Sequence, residues 1–62
     1  MKLTKLLSML MYEVNTIEFY NTNMTFLYSF KPSEIPEQCE DRISKFNIYE
    51  KEGIRILEVI EK

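Results

Sequence analysis

The chain carries one cysteine, Cys39, and no histidine. In 62 residues this is the tightest constraint on the fold. A domain of this size buries only about 60% of the surface its unfolded chain exposes, and commonly needs a disulfide, a metal or a second subunit. One cysteine makes no intramolecular disulfide, and it suits a reducing compartment better than secretion. Without histidine, zinc lacks its commonest nitrogen ligand. A second subunit is the support that remains. A Cys39–Cys39 bridge between copies is the less favoured way to join them, because a lone thiol usually packs as a small apolar residue.

The residue pattern gives a single α+β domain over residues 1–62. Leu3, Leu6, Leu7, Leu10 and Met11 recur at the spacing of one helix stripe, which predicts a helix from Leu3 to Tyr12. From Val14 the chain turns β-branched and aromatic. Val14 to Tyr20 and Met24 to Phe30 read as two strands joined by an Asn21-Thr22-Asn23 turn, since Asn tolerates the left-handed backbone of tight hairpins. Lys31 to Asp41 is an irregular connection interrupted by Pro32 and Pro36. Ile35 is expected to pin it to the core, and Pro36 to Glu40 to form one helical turn. Arg42 to Tyr49 and Ile54 to Ile60 form a second hairpin around Glu50 to Gly53, the only glycine. The expected architecture is an N-terminal helix packed on one face of a four-stranded, mainly antiparallel sheet of two successive hairpins. Strand order is left open. The short proline connection tips the preference towards an all-antiparallel sheet.

One short helix covers part of one sheet face, yet the strands alternate poorly between apolar and polar residues. Ile17 and Phe19 share one face, with Thr16, Glu18 and Tyr20 on the other. Strict alternation puts Met24, Phe26, Tyr28 and Phe30 on a single side. In the last strand Ile54, Ile56 and Ile60 oppose Leu57 and Val59. Two readings stand. The surplus fills a distorted core, or Met24, Phe26, Tyr28 and Phe30 form an interface, of which a homodimer is the simplest case. The second is preferred.

Chemistry is sparse. The acidic connection Glu34 to Asp41 reads as a solvated charged loop, since a metal site there would need ligands fixed from at least two elements. Mimicry of nucleic acid by that loop is a weaker idea, given a net charge of −2. Glu18 and Glu58 would suit acid–base work only in a cleft that splits their pKa values, so they read as outward strand charges. Serines have no histidine to activate them. The chain is therefore expected not to be an enzyme, and no cofactor is implied. The scattered Lys2, Lys5, Lys45 and Arg55 make direct nucleic-acid binding unlike this chain. The Leu-rich start is too short and too broken for a membrane span and has no small-residue cleavage site, so a cytoplasmic location is expected.

Several short motifs together resemble a family of small proteins encoded by phages and prophages of Firmicutes. They are Leu3-Thr4-Lys5-Leu6-Leu7, Ile17-Glu18-Phe19, Asn21-Thr22-Asn23, Leu27-Tyr28, Ser33-Glu34-Ile35-Pro36 and Gly53-Ile54-Arg55-Ile56. The chain departs from that pattern with Met24 at a turn-glycine position and with Phe26 and Phe30 where polar or small residues are usual. The resemblance carries no site residues. It implies a non-enzymatic protein that binds and inhibits a host protein in the bacterial cytoplasm, with an antiviral defence component as the favoured target; the small inhibitor of the Hachiman defence system is comparable in size. The alternative is a structural or regulatory subunit of a phage or mobile element with no inhibitory role.

Overall fold

The computed structural model describes residues 1–62. One helix, α1 (Leu3–Met9), precedes four strands: β1 (Thr16–Tyr20), β2 (Phe26–Phe30), β3 (Ile43–Lys51) and β4 (Ile54–Glu61). Two short 3-10 turns, Pro32–Glu34 and Glu37–Cys39, lie in the connection between β2 and β3.

Helix α1 stops a turn earlier than its Leu stripe predicts. Leu10 is already extended, and Met11 is 96% exposed. The chain leaves the helix so that Val14 reaches the core and the Tyr12 ring lies 4.1 Å from the Arg55 guanidinium carbon. Leu3 and Leu6 are buried, with Leu7 and Leu10 packed beside them. Seven residues are too few for an isolated helix, so α1 depends on that contact and on an anchor from the connection. Leu3 N–H donates to the Glu40 carbonyl at 2.9 Å. The Glu40 carboxylate accepts from Thr4 N–H at 3.2 Å and from Thr4 Oγ1 at 2.6 Å. Glu40 thus does the work of an N-cap that Lys2 does not supply.

The sheet order is β2-β1-β4-β3. Both hairpins are antiparallel, but β1 and β4 run parallel, so the sheet is mixed and not all-antiparallel as preferred from the sequence. That preference weighed the proline connection alone. The parallel pair is instead closed by the whole run from Asn21 to Gly53, far longer than the dozen or so residues such a connection needs. The two central strands are those with the most apolar core face. Ile17, Phe19, Leu57 and Val59 are fully buried, and Ile17 and Phe19 lie directly opposite Leu57 and Val59. The edge strands β2 and β3 complete the core with Tyr28, Phe30, Ile43 and Ile48. From the connection Cys39 is buried and Ile35 packs against the same cluster, as expected for Ile35.

The turns show why the hairpins close. Asn21 Oδ1 accepts from the backbone N–H of Asn23 (2.9 Å) and of Thr25 (3.0 Å). Met24 then takes a left-handed backbone, φ 64°, a conformation that favours glycine. In the second hairpin Glu52 and Gly53 both have positive φ, 53° and 81°, as a two-residue hairpin loop requires. β3 continues to Lys51, so this loop is tighter than the four-residue turn read from sequence.

Candidate functional site

The face of the sheet opposite α1 has no element packed on it. Its composition follows from the register. Tyr20, opposite Phe26 on β2 and Ile60 on β4, makes one row, which ends at Lys45 on β3. Ser29, Glu18, Glu58 and Asn47 make the next. Thr16, Ile56 and Tyr49 make the third, with Ile54 and Lys51 beyond it. A polar row therefore runs between two apolar ones.

Met24, Phe26, Tyr28 and Phe30 do not form the single stripe expected from strict alternation. A bulge between Phe19/Tyr20 and their partners puts Tyr28 opposite Phe19 but Phe26 opposite Tyr20. The extra residue, Leu27, reverses the phase of the strand. Tyr28 and Phe30 turn inward and meet Phe19 edge-on, at centroid distances of 5.1 and 5.9 Å. Phe26 turns outward onto the Tyr20 ring at 5.8 Å and stays 52% exposed. Met24 sits in the turn, also exposed. Of the four, Phe26 alone belongs to the open face.

Glu18 and Glu58, weighed in the sequence as a pair and read as outward strand charges, are direct register partners across the parallel β1–β4 pair. Tyr20 donates its hydroxyl hydrogen to Glu18 Oε1 at 2.8 Å, and Tyr49 donates to the same oxygen at 3.2 Å. The hydrogen bond to the Glu18 carboxylate pushes the Tyr20 phenol up to about 12, with partial burial and the charge of Glu18 adding to it. Tyr49 is raised as well, first by desolvation and then by the Glu18 charge. Both phenols thus stay protonated donors at neutral pH. The chain's two ion pairs, Arg42–Glu61 at 3.8 Å and Arg55–Glu50 at 3.3 Å, lie elsewhere. The carboxylate pair has no cation of its own.

On the core side, the Tyr28 hydroxyl donates to Glu61 Oε2, and the Cys39 thiol lies 3.8 Å from the same hydroxyl. Burial is the main cause that raises the Tyr28 phenol, followed by the Glu61 hydrogen bond. Cys39 is 3% exposed, which removes it from any bridge between folded copies. The acidic connection is not wholly solvated: Glu40 is tied to α1, whereas Glu37 is exposed. A shallow cleft of about 350 Å³ lies between the end of α1 and the connection, lined by Leu7, Leu10, Tyr12, Val14 and Pro32 among others. No three of Asp, Glu and Cys gather as a metal site would require, and no helix is long and apolar enough to cross a membrane.

The sequence reading did not join Tyr20, Tyr49 and Ile60 into one surface, in which Ile56 lies buried between Thr16 and Tyr49. The available signal was the phase of β1 and β4: each carries a glutamate between apolar residues on the face that Ile17, Phe19, Leu57 and Val59 leave free. No family model, no curated protein and no solved structure matches the chain.

Proposed function

We propose that the chain is a non-enzymatic protein-binding module that acts by occupying the surface of another protein. The observation that carries this reading is the uncovered sheet face, where Phe26 and Ile54 are about half exposed beside Tyr20, Tyr49 and Ile60. Exposed apolar side chains bordered by polar ones, as in these two rows, fit an interaction site, and aromatic residues are enriched in such sites. A standard interface buries about 800 Å² per partner, roughly a fifth of this chain's 4405 Å².

The resemblance to phage and prophage proteins favours a host protein as the target and inhibition as the outcome, with an antiviral defence component the plausible case. The test is plating efficiency of phage on hosts carrying a panel of defence systems, with and without this protein. Restored plating against at least one system is the expected result. Equal plating throughout the panel removes the inhibitor reading and leaves the structural or regulatory subunit.

Self-association is a second reading, favoured by the asymmetry of the sheet edges. Both edge strands carry a bulge, but β3 also carries Lys45 and Lys51, charges that hinder strand addition, whereas Phe26–Phe30 has no charged residue. A homodimer would form through β2, as a two-fold extension of the sheet. Light scattering coupled to size exclusion over a dilution series tests it. A cooperatively folding 7.5 kDa species at high micromolar concentration rejects it.

A further inference from the structure

Glu18 and Glu58 lie side by side at the centre of the open face. Like charges directly opposite one another on neighbouring strands oppose folding, and no lysine or arginine nitrogen comes within 4.0 Å of either. Glu18 is held by two phenols. Glu58 makes no side-chain hydrogen bond at all. The arrangement is that of a surface whose counter-charge comes from outside.

Its chemistry narrows the occupant. The carboxylates are flanked on one side by Tyr20, Phe26 and Ile60 and on the other by Tyr49, Ile56 and Ile54. A guanidinium is planar, forks across carboxylate oxygens and stacks on aromatic rings. A bare metal ion would find two carboxylates and two phenols already acting as donors, short of the six to eight oxygens calcium prefers. Nucleic acid and anionic lipid are repelled. A second copy laid face to face about a two-fold axis through this centre would bring four carboxylates together, while its own cations, Lys45 and Lys51, stay at the β3 margin.

We propose that the open face docks a protein segment presenting one arginine between apolar side chains, the guanidinium seated on Glu18 and Glu58 and the flanking groups on the two apolar rows. This rests on the reading of the face as a docking surface and names the partner's chemistry.

The probe is a fluorescently labelled extended peptide of alternating leucine and threonine with one central arginine, against the same peptide with central glutamine. Binding to the full chain is read by anisotropy, with amide shift mapping by NMR. Glu58→Gln is the cleanest variant, because Glu58 has no side-chain hydrogen bond to lose; its fold is checked by thermal melting. The arginine peptide should bind at least about tenfold more tightly than the glutamine peptide, a normal cost for losing one partner of a close charge pair. Shifts should centre on β1 and β4. Glu58→Gln should cut the preference to under about threefold without lowering the melting temperature. A preference that survives Glu58→Gln, or no binding of the arginine peptide up to its solubility limit, overturns the proposal. If both peptides bind equally and Phe26→Glu abolishes both, the face is a docking surface but its partner is not basic. If neither binds and Phe26→Glu leaves plating unchanged, the docking reading falls too.

Discussion

Removing the Glu40 side chain should loosen the whole N-terminal third of the molecule. In Glu40→Ala the backbone bond from Leu3 N–H to the Glu40 carbonyl persists, so the change isolates the two bonds from Thr4 to the carboxylate. Losing an N-cap side chain costs about 1 kcal/mol, within a range of about 0.5–2. Negative charge near a helix N-terminus adds about 0.3–1 kcal/mol. The bonds are solvent-exposed, which favours the lower end, and the sum is about 1–1.5 kcal/mol. In a domain of this size, that corresponds to a fall in Tm of very roughly 5–10 °C. Glu40→Gln keeps an acceptor without the charge and should lose about half as much. Glu37→Ala, three residues away and without a side-chain hydrogen bond, should stay within about 0.5 kcal/mol of wild type. Urea unfolding followed by circular dichroism measures all three. Equal stabilities of Glu40→Ala and Glu37→Ala would refute the reasoning and mean that the Leu stripe alone holds α1.

Three further outcomes follow from particular residues. Met24→Gly relieves a left-handed backbone that costs a side chain about 1 kcal/mol and should raise Tm by several degrees; a lower Tm would mean that the Met24 side chain is packed and not merely tolerated. The Tyr20 phenol is raised to about 12 from an unfolded value near 10. Its stabilisation is therefore complete below about pH 10 and lost as pH rises through about 12, and Tyr20→Phe should flatten the fall in alkaline stability measured by urea unfolding across that window. Cys39, at 3% exposure, should react with a thiol reagent only as fast as the protein opens, so labelling in native buffer at the rate seen in urea would show that the thiol is not enclosed.

Much of the fold is legible because local chemistry and position agree. The Leu stripe starts where α1 starts, Asn21 builds the first turn through its side-chain oxygen, and Gly53 takes the positive φ its hairpin needs. What escapes the sequence is set by contacts far apart in the chain. The parallel β1–β4 pair joins Ile17 to Leu57 and Phe19 to Val59, a choice made by burial of the two most apolar strand faces and not by any connection. The bulge at Leu27 has no glycine to announce it, yet it turns Tyr28 and Phe30 into the core and Phe26 out. Glu40 reads as one more acidic loop residue until it is placed beside Thr4. The single stripe of Met24, Phe26, Tyr28 and Phe30 fails for the same reason: one extra residue in β2 moves every later side chain to the other side.

The central claim is that the sheet face opposite α1 is the working surface, and two phenylalanines allow a matched test. Phe26 on the open face is 52% exposed and Phe46, opposite Val59 on the other side of the sheet, is 46% exposed. Phe26→Glu and Phe46→Glu introduce the same charge at nearly the same exposure on opposite faces. Plating efficiency in a host whose defence the wild-type protein relieves, with both variants shown to be folded by thermal melting, reads the difference. The account predicts that Phe26→Glu loses the relief and Phe46→Glu keeps it; relief lost with Phe46→Glu and kept with Phe26→Glu would contradict it.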